Sequence, residues 1–455
     1  MLRNDIITAI STPSGSGAIA VVRVSGNGSI ELVEKIFNGK NLSEQQSHTL
    51  HFGNIESDGK KIDEVVVGIF RNPKSYTGED LVEISCHGSN FIQQKILHLL
   101  LHQGARNAKP GEFTMRAFLN GKLDLASAEA VADLIAADSE SSHQLAMQQM
   151  RGGFSNHIKQ LRNELIKFAS LIELELDFSE EDVEFANRKQ LEELLSKLHK
   201  AVSDLAESFR LGNVLKQGVN TVIAGRPNAG KSTLLNALLN EERAIVSEIP
   251  GTTRDSIEET LNINGVIFRL TDTAGLRETK DVIEKMGVER THDKIKQAAV
   301  VIYLFDVMNM NEAEVKQDIE TFKLTDTPVL LVANKTDLMN EDELKKKFSS
   351  LENLIFISAK NKEHIHELKE KLFASVIDGK IQTGGVVVSN IRHYDALVKT
   401  LSAIEDVTVG LKNQLSGEMY ALDIRRALDY LGEITGEITN EDLLDSIFRD
   451  FCIGK

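Results

Sequence analysis

Long apolar runs, cysteine and positive charge are all in short supply in this 455-residue chain. Each shortage excludes something. No stretch approaches the roughly 18 consecutive apolar residues of a membrane-spanning helix, so none is expected. The opening Met1-Leu2-Arg3-Asn4-Asp5 runs into Ile6-Ile7 and then a Ser/Gly/Pro stretch, without the apolar core of a signal peptide. The two cysteines, Cys86 and Cys452, are too few for a disulfide framework, and a reduced, cytoplasmic protein is expected. Fifty-two Lys and Arg stand against 68 Asp and Glu, a formal net charge of -16. That balance argues against a bulk electrostatic grip on nucleic acid and leaves a local basic patch or a basic partner as the alternatives. Aromatic residues make up 5% of the chain, and neither a basic cluster nor an aromatic-rich sheet marks a dedicated RNA-binding module.

What is present is more specific. Gly225-Arg226-Pro227-Asn228-Ala229-Gly230-Lys231-Ser232 is a complete G-x-x-x-x-G-K-S loop. Asp272-Thr273-Ala274-Gly275, Asn334-Lys335-Thr336-Asp337 and Ser358-Ala359-Lys360 follow in that order, within about one domain's length. Together they predict a guanine-nucleotide site of the GTPase type.

The chain is too long for one core, and about two to four domains are expected. Residues 1–120 read as α/β, with strands at Ala18–Val24 and Glu64–Phe70 and a helix at Phe91–His102. Residues 121–215 carry apolar residues at helical spacing, with a break at Gly152-Gly153 and a solvated acidic junction at Glu180-Glu181-Asp182. Residues 216–379 alternate strand and helix. Strands are predicted at Asn220–Ala224, Val266–Thr271, Ala299–Phe305, Pro328–Ala333 and Leu354–Ser358, the rhythm of a doubly wound parallel sheet. Residues 380–455 return to helical periodicity and are expected to pack on the helices of 121–215. The third segment would then be an insertion in one helical domain.

In the nucleotide site, Gly225 and Gly230 let successive N–H groups turn toward phosphates, and the following helix adds its positive end. Asn228, Ala229, Gly230, Lys231, Ser232 and Thr233 form the phosphate cradle. Lys231 is expected at the β- and γ-phosphates and Ser232 at magnesium. Asp272 is expected to hold magnesium through water, with Thr273, Ala274 and Gly275 beside the γ-phosphate. Asn334, Lys335 and Asp337 read guanine: the Asp337 carboxylate accepts from ring N–H and exocyclic amine, Lys335 lies along the base, and the Ala359 N–H, between Ser358 and Lys360, meets the guanine oxygen.

Leu276 occupies the position at which small GTPases place a water-orienting glutamine, and leucine cannot orient water. Arg226 lies early in the loop and is expected to point away. Another cation is therefore needed between the phosphates. The Asn228 side-chain oxygen suits a monovalent ion there, with further oxygens from the loop Ser247-Glu248-Ile249-Pro250-Gly251-Thr252-Thr253-Arg254-Asp255 wrapping over it. The alternative for Asn228 is a turn-stabilising side chain.

The whole chain resembles the potassium-activated tRNA-modification GTPases, the MnmE/TrmE family. The resemblance rests on Thr12-Pro13 with Gly15, Gly17 and Arg23; on Ser75-Tyr76-Thr77-Gly78-Glu79-Asp80 with Glu83, His87 and Gly88; and on Pro110-Gly111-Glu112-Phe113 with Arg116-Ala117-Phe118-Leu119-Asn120 and Lys122-Leu123-Asp124-Leu125. The GTPase motifs and the terminal Phe451-Cys452-Ile453-Gly454-Lys455 complete it.

The resemblance implies a multidomain architecture: an α/β folate-binding-like and dimerising domain over 1–120, and an all-α helical domain over 121–215 and 380–455. A Ras-like α/β P-loop GTPase domain, 216–379, is inserted in the helical one. It implies potassium ligands at Asn228, Ser247, Ile249 and Thr252, and magnesium ligands at Ser232 and Thr253. It also implies a water-orienting catalytic acid at Glu284, which the residues alone read as a surface helix carboxylate. The folate, 5,10-methylene- or 5-formyl-tetrahydrofolate, maps onto Arg23, Glu83, Lys122 and Lys455, otherwise plain surface charges. The implied partners are a second copy, an FAD-dependent tRNA-modification protein in a heterotetramer, and tRNA. The implied activity is GTP hydrolysis driving addition of a carboxymethylaminomethyl-type group to C5 of the wobble uridine. Cys452 reads as a nucleophile or as a small packed thiol; Cys86 reads as core and His87 as a turn residue or folate neighbour. The competing readings are a ribosome-assembly or RNA-chaperone GTPase switch, and a folate-dependent transfer enzyme that GTP hydrolysis merely regulates.

Overall fold

A computed structural model of the chain describes residues 5–177, 188–239, 259–272, 298–320, 327–377, 386–413, 417–439, 441–449 and 451–454. The chain forms two compact units: Met1–Ile135 with Met147–Ser203 and Asp395–Lys455, and Ala136–Ala146 with Asp204–Tyr394. Among the described residues no helix is long and apolar enough to cross a membrane.

The first unit is built on a mixed sheet. Its strands are β1 (Ile7–Ile10), β2 (Ile19–Ser25), β3 (Phe37–Asn38), β4 (Thr49–Ser57), β5 (Lys60–Phe70), β6 (Leu81–His87) and β7 (Arg106–Asn107), in the order β3-β4-β5-β6-β2-β1-β7. All pairs are antiparallel except β1 with β7. Side chains alternate between faces along each strand. Val22, Val24, Val65, Val67, Ile69, Val82, Ile84 and Cys86 fall on one face and are buried with Ile96 and Leu100 of the helix Asn90–His102. The other face carries Leu50, Phe52, Val66, Glu83, Ser85, Arg23 and Ile19, as the register pairs Phe52 with Val66, Val66 with Ser85, and Arg23 with Glu83.

Four helices follow at Glu112–Leu119, Leu125–Ala136, Glu140–Met150 and Gly153–Asp177, with the expected break at Gly152-Gly153. The long helix Arg188–Gln217 comes next; the acidic run 180–182 lies outside the described residues. The helix Gly417–Thr435 packs against Gly153–Asp177, and Leu444, Phe448 and Phe451 bury against Leu125 and Ala128. The C-terminal segment thus does rejoin the earlier helices, and the strand-rich segment lies between them in the chain.

That inserted segment has strands β8 (Val219–Ala224), β9 (Glu259–Ile263), β10 (Val266–Asp272), β11 (Val300–Asp306), β12 (Val329–Asn334) and β13 (Ile355–Phe356), in the order β13-β12-β11-β8-β10-β9. The expected strands are found within a residue or two, with two differences. The sheet is not wholly parallel: β9 runs antiparallel to β10 at the edge, joined by a tight Asn264-Gly265 turn in which both residues have positive φ. Short-loop connection allows only that direction. The last strand is Ile355–Phe356 rather than Leu354–Ser358, because Ser358 leaves the ladder to bridge with Glu363. β11 reads Val-Val-Ile-Tyr-Leu-Phe-Asp and is buried throughout, as a strand covered on both faces must be.

Candidate functional site

The carboxyl ends of β8, β12 and β13 bring three of the four predicted motifs together. Gly225 leaves β8 with φ 152 and lies against β11, where a Cβ would run into the Leu304 carbonyl. Only glycine fits this approach. The next four residues form a turn in which Pro227 precedes Asn228 at φ 62, and the Ala229 N–H donates to the Arg226 carbonyl at 3.3 Å. Pro then a left-handed residue is the type II pattern, and asparagine tolerates that conformation. Asn228 therefore has a backbone reason for its place, whatever its side chain binds. Its side chain is exposed.

Lys231 opens the helix Lys231–Leu239 and is buried; its ammonium donates to the carbonyls of Gly225 at 2.8 Å and Arg226 at 3.2 Å. Ser232 and Thr233 follow, exposed in the first helical turn. Loop, lysine and helix N-terminus together suit a polyphosphate.

Asn334 ends β12, almost fully buried. Its amide donates to the Ala229 carbonyl at 2.8 Å, and its side-chain oxygen accepts from the Ala359 N–H at 3.0 Å. One side chain therefore binds the phosphate loop to the Ser358-Ala359-Lys360 segment. The Ala359 N–H, expected at a guanine oxygen, is given to Asn334 here. Lys335 sits at φ 68, and Asp337 follows in the short helix Thr336–Leu338. The buried Ser358 hydroxyl donates to Asp337 Oδ1 at 2.7 Å, which aims the carboxylate. Lys360 closes this segment.

Sequence reasoning missed Asp306. It ends β11, and the Lys335 ammonium lies 2.7 Å from its Oδ2. Burial works to raise its pKa, but the bonds from Lys335, the Met308 N–H and the Asn309 amide prevail and hold it below the ordinary carboxylate value. A lone carboxylate at the carboxyl end of an apolar strand, where such sheets bind ligands, was the available signal. Arg226 does point away: it donates to Asp318 at 2.8 and 2.9 Å and to Glu314 at 3.1 Å.

Asp272 ends β10 with its backbone paired to Ile223 of β8, so it stands in the row that carries the loop. Its side-chain environment, together with Ser247, Glu248, Ile249, Pro250, Gly251, Thr252, Thr253, Thr273, Ala274, Gly275, Leu276 and Glu284, lies outside the described residues. Asn228 and Ser232 present exposed side chains carrying oxygens in the loop and the first helical turn, a donor chemistry that suits potassium and magnesium.

A second cluster lies on the open face of the first unit's sheet. Arg23 donates to Glu83 Oε1 from Nη2 at 2.7 Å and from Nε at 3.1 Å. Its guanidinium lies 5.4 Å from the Tyr76 ring centroid and 5.6 Å from that of Phe113. Its remaining branch reaches the Gly454 carbonyl at 3.3 Å, which also accepts from the Ser11 hydroxyl at 3.1 Å. Gly454, at φ 95, lies so near the Ile10 carbonyl that a Cβ has no room. The Gly111 N–H holds the Cys452 carbonyl at 3.4 Å. Arg23, Glu83 and the residues leading to Lys455 are thus brought together; Lys455 itself is outside the described residues. Lys122 is placed differently, exposed and donating to the Pro73 carbonyl at 2.9 Å. A guanidinium and a carboxylate beside the half-buried Tyr76 ring suit a flat, polar heterocycle with acidic groups, so these residues fit a folate.

Behind this face Arg116, buried, donates to the Asp5 carboxylate at 2.7 Å and to Glu79 at 3.0 Å, and Arg106 binds Asp5 and Glu112. His87 donates its N–H to Asp63 at 2.8 Å and keeps an exposed ring. Cys86 is buried in the core, and burial, reinforced by Asp63, pushes its thiol up to about 11. Cys452 is exposed.

Comparison with known proteins gives two family matches. Residues 6–122 match the GTP-binding protein TrmE N-terminus, and residues 125–452 match the MnmE helical domain. The chain is 55% identical over 451 residues to the tRNA modification GTPase MnmE of Cytophaga hutchinsonii, covering 99% of this chain and 98% of that one. It is 54% identical over 466 residues to the protein of the same name from Flavobacterium johnsoniae, covering all of both. Against that of Bacteroides fragilis the identity is 49% over 466 residues.

Proposed function

This chain belongs to the MnmE family of tRNA modification GTPases, and from that membership we propose that it is a potassium-dependent GTP hydrolase of the cytoplasm. With an FAD-dependent partner and a one-carbon tetrahydrofolate, it drives addition of a carboxymethylaminomethyl-type group to C5 of the wobble uridine in certain tRNAs. The observation that carries the GTPase reading is Asn334, which locks the phosphate loop and the base-side loops into one site.

Potassium dependence is supported by two features. Leu276 removes the usual water-orienting side chain, and Arg226 is engaged by Asp318 and Glu314, away from the phosphates. Potassium, when bound, would supply the positive charge between β- and γ-phosphates. Asn228, Ser247, Ile249 and Thr252 would hold it, Ser232 and Thr253 would hold magnesium, and Glu284 would orient the attacking water. What the described chain itself does is to seat Lys231, present the helix N-terminus and fix Asp337 for the base.

Folate binding is supported by the Arg23–Glu83 pair beside the Tyr76 ring; Lys122 and Lys455 would add further cationic contacts. Homodimer formation is supported by the same sheet face, on which Leu50 is 73% and Phe52 68% exposed beside Val66. Such an apolar face favours a protein partner. The acidic balance of the chain fits a flavoprotein that supplies much of the grip on tRNA.

Two measurements test the reading. GTP hydrolysis is expected to be much faster in potassium than in sodium; equal rates would remove the cation role. Nucleoside analysis of tRNA from cells lacking the protein is expected to show loss of the wobble modification, and an intact modification would overturn the pathway.

A further inference from the structure

The phosphate loop is tied to the body of its unit by its arginine, and the tie bears on the loop lysine. Arg226 presents its guanidinium to the helix Glu312–Glu320, donating from Nε and Nη2 to both oxygens of Asp318 and from Nη1 to Glu314. Asp318 is itself fixed: the hydroxyl of Tyr303, a buried β11 residue, donates to its Oδ2 at 2.5 Å. Glu314 is fixed too. It exchanges hydrogen bonds with Asn311 at the helix start, each backbone N–H donating to the other's side chain at 3.0 Å. At the other end of Arg226, its carbonyl receives both the Ala229 N–H and the Lys231 ammonium. Pro227 restricts the backbone of Arg226 to extended conformations, and its side chain is held at the far end by the bonds to Asp318 and Glu314.

We propose that Asp318, backed by Tyr303, is a positioning residue that acts through Arg226 on the phosphate loop and slows the release of guanine nucleotide. The cluster is not needed to hold the helix. Val315 is fully buried in the apolar core there, whereas Arg226 is 42% exposed, and ion pairs so exposed add little to folding stability. What the cluster fixes is the one carbonyl on which the loop turn and the lysine both depend. The proposal rests on the GTP reading of this site.

The test uses the full-length chain and a fluorescent methylanthraniloyl-GDP. Asp318→Asn and Arg226→Ala are each expected to speed its release about fivefold. The double variant should release no faster than either single one, and the thermal unfolding midpoint should stay near that of the parent. Tyr303→Phe, which keeps the ring in the core, should shift release in the same direction. Unchanged release in the single variants, or a double effect equal to the product of the two, would overturn the clamp. So would faster release that tracks a fall in the unfolding midpoint. Failure of the parent chain to bind the labelled GDP would instead overturn the nucleotide site, and the clamp with it.

Discussion

Arg23 and Glu83 stand opposite each other on neighbouring antiparallel strands, with the guanidinium donating twice to one carboxylate oxygen. The same arginine reaches the Gly454 carbonyl, so it joins strand, ring pair and C-terminal segment. Removing it leaves Glu83 without its cation and Gly454 without one of two donors. Arg23→Ala is expected to weaken binding of 5-formyl-tetrahydrofolate by about tenfold or more, as loss of a charge-assisted contact does. Titration calorimetry checks this. An unchanged affinity would separate the pair from the ligand.

The open sheet face makes a separate prediction about assembly. Phe52 and Val66 are cross-strand partners on it, and a charge between them would have to be desolvated in any protein contact. Phe52→Glu is expected to convert a dimer to monomers by sedimentation, while leaving nucleotide binding in place. A variant that stays dimeric would move the interface elsewhere.

Acid should loosen the first unit through Asp5 and Glu112. Burial works to raise both pKa values, but bonds to Arg106 and Arg116 prevail and lower them from the ordinary 3.8 and 4.5. The folded state therefore holds these carboxylates ionised more readily than the unfolded chain does. Their contribution to stability is complete above the ordinary values and is lost as pH falls through the lower folded ones. Unfolding midpoints followed from pH 6 down to about pH 3 should fall, and Glu112→Gln should flatten the fall while lowering stability at neutral pH. A variant with the parent's full pH slope would discount the cluster.

The two thiols should differ sharply. Cys86 is buried with its pKa pushed up to about 11, whereas Cys452 is exposed. At pH 8 the native chain should react quickly with one equivalent of a thiol reagent, and Cys452→Ser should abolish that phase. Two equally fast thiols would contradict the burial of Cys86.

Much of this was legible in the residues. The glycines and lysine of the phosphate loop have no other common use at that spacing, and a strand covered on both faces, such as Val300–Asp306, is written as an unbroken apolar run. The strand Glu259–Ile263 was not legible: a half-exposed edge strand has a weak pattern, and its identity comes from pairing with β10. Asp306, Glu314 and Asp318 were missed for a related reason. Each is an ordinary acidic residue until the fold sets Lys335 or Arg226 beside it. The sidedness of the first sheet was likewise invisible until register placed Leu50, Phe52 and Arg23 on one face.

The single amide of Asn334 ties the phosphate loop to the Ser358-Ala359-Lys360 segment, and under the proposed function it would brace both ends of a nucleotide. Tightening either surface steadies the other, so the two halves of the ligand assist one another through the protein as well as through their own covalent bond. A free nucleoside or a free pyrophosphate gains only a fraction of that mutual support.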